Sequence, residues 1–121
     1  MAVSLPETFD AVGQRYRPDA AARNHRCSRG ERYELKRDST NEHDSHAVKV
    51  LWHPGDDREP IHIAWVENRS THAADAVAWR MDRGHYLEIF YLGTSSSGRS
   101  IKFGVKDITA ELQNATDADA Y

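Results

Sequence analysis

The chain has 121 residues, 39% of them hydrophobic and 29% charged, which bounds it to one globular domain with a small core. Its net charge of −3 argues against a general polyanion binder, and a single cysteine, Cys27, excludes an internal disulfide and suits a reducing cytoplasm. The N-terminus has no basic segment and no long apolar run, so neither a signal peptide nor a membrane partner is expected.

Thr8–Val12 alternates weakly and stops at Gly13, a first strand. Residues 14–30 hold Pro18, Gly30 and many polar groups around Ala20-Ala21-Ala22, and read as a long loop with at most one helical turn. Over 14–37, eight basic residues stand against three acidic ones, while Asp107, Glu111, Asp117 and Asp119 make the C-terminal end acidic. That asymmetry can focus a positive field on one face, although a solvated arginine-rich loop gives the same composition.

Tyr33–Arg37 and Ala47–Trp52 read as the next two strands. His53-Pro54-Gly55-Asp56-Asp57 marks a turn, and Ile61–Val66 follows as a strand hairpin-paired with Ala47–Trp52. In residues 70–83 the period changes, with Ala74, Val77, Ala78 and Met81 on one helical stripe. Ser70 or Thr71 is suited to cap this helix, and Gly84 to the left-handed position after it. Tyr86–Leu92 and Ile101–Val105 return to strand character around the flexible loop 93–98. Residues 113–121 are polar and expected to fray. The fold expected is a mainly β, α+β domain: a small OB-like or SH3-like barrel of about six strands with one or two short helices. Residues 1–7 form an N-terminal extension, 8–106 the domain, and 107–121 an acidic, partly disordered tail.

Chemistry narrows next. Seven histidines are present. His43 and His46 lie three apart on a turn rather than a helix, so no metal site is expected. Ser39, His43, Asp44 and Ser45 include nucleophile and base types, but close sequence neighbours do not converge on one reacting atom. The chain lacks Gly-x-Ser-x-Gly and a phosphate loop. Neither catalysis nor a cofactor is expected. Arg15-Tyr16-Arg17 offers cations and an aromatic face together, the pairing that nucleic acid requires. Trp65 lies on a strand, whereas Trp52 reads as core.

Three segments combined resemble a HIRAN domain across roughly residues 8–106. Val12-Gly13-Gln14-Arg15-Tyr16 matches that family's Val-Gly-x-x-Tyr. Leu35, Arg37, Asp38, Asn41, Asp44, Ala47, Val48 and Val50 match, in order and spacing, its Leu-x-Arg-(Asp/Glu)-x-x-Asn-x-x-Asp-x-x-Ala-(Ile/Val)-x-Val. Ile63–Val66 and the helix ending at Gly84 fill the following places. The resemblance implies an OB-like barrel with two short helices that captures single-stranded DNA at a 3′ end, as in helicase-like transcription factor. It further implies a helicase or other DNA-processing protein as partner, a role in DNA repair, and a cytoplasmic, nucleoid-associated location in a bacterium. Tyr16 would stack on a terminal base, Arg15 and Arg17 would contact phosphates, and Asp44 would accept a hydrogen bond from the 3′-hydroxyl. Asn41 would support the loop or touch the terminal nucleotide, and Arg37 and Asp38 would hold the loop. His43 stands where DNA-binding members carry a larger aromatic. Trp65 replaces the expected Gly-His or Gly-Tyr step as a second stacking surface, Asn68 replaces a basic residue, and Arg99 is the cation of the 94–100 loop. The alternative is a protein-interaction adaptor on the same barrel with weak or no DNA binding.

Overall fold

In a computed structural model, which describes residues 4–55 and 57–119, six strands form one antiparallel sheet in the order β2-β3-β4-β1-β6-β5. The strands are β1 (Thr8–Val12), β2 (Arg32–Arg37), β3 (Val48–His53), β4 (Ile61–Val66), β5 (Leu87–Thr94) and β6 (Ser100–Asp107). The end strands β2 and β5 come close to one another, so the sheet curls into a nearly closed barrel of the small OB-like kind. A 3-10 turn covers Gln14–Tyr16, and the helices are α1 (Ala20–Asn24), α2 (Ala73–Met81) and α3 (Thr109–Asp119). Closure removes most of the free strand edge that a small sheet would otherwise expose.

Period-two alternation drives the strands inward. Phe9 and Ala11 of β1 are buried, as are Tyr33 and Leu35 of β2 and Ile101, Phe103 and Val105 of β6. Phe103 is the hub of the core: Phe9 stacks on it at 5.6 Å between ring centroids, and Tyr33 and Tyr91 meet it edge-on at 5.2 and 6.2 Å. Trp52 packs against this core, with His25 stacked on its ring at 3.7 Å and its indole N–H donating to Glu31 at 2.9 Å.

Two ladders skip a residue. Val50 pairs with Ala64 but Leu51 with His62, leaving Ile63 as an extra residue on β4. Ile63 and Ala64 are consequently both buried, and Trp65 is returned to the outer face. The same happens at Leu92, between the pairs Tyr91–Phe103 and Gly93–Lys102.

Several expectations are met and others corrected. The β3–β4 hairpin forms as expected, and Gly84 takes φ +82° after α2. Asp56 of the turn between them lies outside the described residues, as do residues 1–3 and 120–121. The helix stripe is buried at Ala74, Val77 and Ala78, joined by Ala73 and Ala76. His72 holds the N-cap position of α2 with φ 55°, while Thr71, one of the two expected capping residues, accepts the Ala73 N–H on its Oγ1 at 3.3 Å and Asn68 Oδ1 accepts the Asp75 N–H at 3.0 Å. The loop over 14–30 contains both the 3-10 turn and α1, tied together by Gln14 Nε2 donating to Ala22 O at 2.9 Å and His25 O at 2.7 Å. The tail expected to be partly disordered carries α3, whose first N–H is taken by Asp107 Oδ1 at 3.0 Å. There are thus three short helices rather than one or two. Among the described residues no helix is long and apolar enough to cross a membrane.

Candidate nucleic-acid interface

Directly paired residues of an antiparallel ladder point to the same side of the sheet. Lys36 pairs with Lys49, Lys49 with Trp65, Trp65 with Val12, and Val12 with Ser100. The buried partners Leu35, Val50 and Ala11 occupy the alternate positions. One row of side chains therefore crosses five strands on the outside of the barrel, with the Trp65 indole near its middle.

Trp65 is partly exposed and bracketed by charge. The Arg17 guanidinium and the Lys49 ammonium each lie 6.0 Å from its ring centroid. That is the outer limit of cation–π attraction, so these cations are only loosely held by the ring. The Arg17 Nε is buried and has no hydrogen-bond partner among the described residues. Burial also pushes the Arg17 pKa down, a sign that its charge is incompletely solvated. Gly13, with φ +87°, carries the chain over Trp65: a Cβ there would lie 3.4 Å from the indole Cδ1. Immediately beyond it, Tyr16 is 74% exposed, and the Arg15 guanidinium lies 4.7 Å from its ring centroid.

His62 stands against Trp65 edge-to-face at 4.5 Å and shares a 2.9 Å hydrogen bond with Ala64 O. Its pKa is pushed down to about 4, first by burial and then by the positive charges of Arg17 and Lys49, with Asp38 opposing. The ring is therefore neutral near pH 7, which makes it the donor to Ala64 O and leaves Nδ1 as an acceptor.

The turn between β2 and β3 borders the Lys36–Lys49 end of the row. Arg37 holds it, as expected, donating to Ala47 O and Ser45 O at 2.9 Å each and pairing with Asp82 at 2.9 Å. Asp38 accepts from Thr40 at 3.1 Å and from the Asn41 amide at 3.4 Å. Asn41 Oδ1 takes the N–H groups of His43 and Asp44 at 2.9 and 3.0 Å, so of its two open roles the structure fills the supporting one. Asp44 Oδ1 accepts the His46 N–H at 2.8 Å, and no hydrogen bond to Oδ2 is found among the described residues. His43 is exposed on the same turn. His46 Nδ1 meets Asp75 at 2.8 Å and braces the turn on α2.

The structure thus groups Arg15, Tyr16, Arg17 and Trp65, with Arg99 on the β5–β6 tip just before Ser100 in the same row. Asn68 is committed elsewhere: its amide donates to Asp75 Oδ1 at 3.1 Å while its oxygen caps α2. Lys49, Lys36 and His62 escaped the sequence reading. Lys49 and Lys36 carried a faint signal, since an alternating strand that buries Val48 and Val50 must turn Lys49 outward.

No protein-family model matches the chain, and no curated protein matches it at a significant level. Among solved structures, the chain is similar to a structural-genomics crystal structure of a protein from Lactobacillus plantarum. The two share 22% identity over 83% of this chain and 89% of that one, with a TM-score of 0.63, a likeness of fold.

Proposed function

We propose that the protein is a non-catalytic module that binds single-stranded DNA, preferring a free 3′-hydroxyl end, in the manner its HIRAN-like sequence implies. The observation that carries this reading is Trp65, an outward-facing indole with a cation 6.0 Å away on each of two neighbouring elements. Bases stack on such a ring for about 1–3 kcal/mol each, whatever their identity, while cations beside it take the phosphates. Tyr16 supplies a second exposed face and Arg15 a second phosphate contact. Asp44 Oδ2 accepts the hydrogen bond of a 3′-hydroxyl, and its charge repels a 3′-phosphate.

Fluorescence anisotropy on oligonucleotides ending in a 3′-hydroxyl or a 3′-phosphate tests this. The hydroxyl form binds at least several-fold tighter. Asp44→Asn keeps an oxygen for the His46 N–H but loses the charge, and so reduces the discrimination more than the affinity. Equal, weak binding to both ends would sink end capture.

The adaptor reading has its own support in exposed apolar side chains on and before β5: Tyr86 is 61% and Phe90 50% exposed. Absence of binding to either oligonucleotide at low salt selects it.

A further inference from the structure

The row of paired residues does not end at Trp65. On its β2–β3 side lies an open groove of about 580 Å³, lined by Lys36, Lys49, Leu51, Pro60 and His62 together with Glu34 and Glu59. Lys49 belongs to both places: it lies 6.0 Å from the Trp65 ring centroid and also lines this groove. Lys36 is its cross-strand neighbour, exposed, one strand further from Trp65. Adjacent strands sit about 4.8 Å apart, so two ammonium groups on flexible stems follow Trp65 on successive strands.

We infer that this groove is a second nucleotide subsite, in which Lys36 and Lys49 hold successive phosphates of a single strand that leaves the Trp65 face. The inference rests on the DNA-binding reading above and extends it to the path and length of the bound strand.

Charge and shape both bear on the occupant. Two carboxylates, Glu34 and Glu59, also line the groove, and the Glu34 Oε2 lies 3.2 Å from His53 Nε2. Asp38 sits near Lys49 and His62, but its oxygens are taken up by Thr40 and Asn41. At His62, which lines the groove, the nearby cations Arg17 and Lys49 disfavour protonation and Asp38 favours it. The floor and wall are apolar at Leu51 and Pro60, which suits the face of a base. His62 adds one neutral ring whose Nδ1 accepts from a base amino or imino N–H.

The test is a length series of fluorescent oligothymidylates, from about two to about six nucleotides, measured on the full chain. With the groove in use, affinity rises with length. Lys36→Ala then weakens the longest oligonucleotide about 3- to 10-fold, leaves the shortest unchanged, and lowers the salt slope for the longest by about 0.7, the value of one phosphate contact on a single strand. Lys36 is exposed, so Lys36→Ala and Lys36→Glu fold, and the charge reversal gives the larger loss. Length-dependent binding that both variants leave untouched overturns the groove and spares the Trp65 site. Failure of the unmodified chain to bind any length at low salt overturns both.

Discussion

At the scale of single residues, the outer face depends on groups held in unusual states by their neighbours. His62 is the clearest. Its folded pKa of about 4 lies below the ordinary 6.5, because burial and the cations Arg17 and Lys49 disfavour its protonation. Above about pH 6.5 neither the folded nor the unfolded state holds the proton. As the pH falls from there toward 4, the unfolded chain binds a proton that the folded chain refuses, and stability declines. His62 is only about half buried, so solvent screening trims the loss to about 1 kcal/mol. Denaturant melts at pH 7 and pH 5 check this: the protein loses stability between them, and His62→Gln loses less. Asp107 acts in the same sense at lower pH. Burial alone would raise its pKa, but Thr109 and His85 bring it to about 2, so the stability it lends the start of α3 is full above the ordinary carboxylate pKa of 3.8 and is lost as the pH falls toward 2.

At the scale of elements, α2 shows how a residue that resembles a binding group serves structure. Asn68 stands where the HIRAN-like resemblance expects a cation, yet its amide spans the 68–75 segment with two hydrogen bonds. Asn68→Ala removes a side-chain cap of α2 and costs about 1 kcal/mol of stability, read by thermal or denaturant unfolding. The same substitution leaves the salt slope of DNA binding unchanged, which a lost phosphate contact would not. The β2–β3 turn is built in the same way. Arg37, Asp38 and Asn41 are spent on holding it, and Asp44 spends one oxygen, so a motif dense in polar residues offers few free groups.

At the scale of the whole molecule, the barrel is a thin shell around one aromatic cluster. Phe103 is fully buried and meets Phe9, Tyr33 and Tyr91 from three different strands. Phe103→Ala leaves a cavity that the closed barrel cannot collapse around, at a cost of about 3–5 kcal/mol. For a domain of this size that is a large share of a total near 5–15 kcal/mol. Urea unfolding reads it as a lower midpoint with an unchanged slope. The outer row from Lys36 to Ser100 shares this frame, so its spacing is set by strand pairing and not by the flexibility of its long side chains.

The sequence by itself determined the strands, the main helix, the β3–β4 hairpin and the builders of the β2–β3 turn, because these follow from local alternation, helical spacing and turn chemistry. It set Arg15, Tyr16 and Arg17 side by side just after the first strand, and the HIRAN-like resemblance named Trp65 as a stacking surface. Alternation alone could not place Trp65. Strict alternation from Ile61 and Ile63 would turn Trp65 inward; the extra residue at Ile63 reverses that, and it exists only because β4 pairs out of step with β3. Nor could it join Lys36 and Lys49 to Trp65, or bind Asn68 to α2 and Asp107 to α3. The neighbours Lys36, Lys49 and Trp65 are set by strand register between segments far apart in the chain, which only tertiary structure decides; the Asn68 and Asp107 bonds are short-range and depend on how the chain turns into each helix.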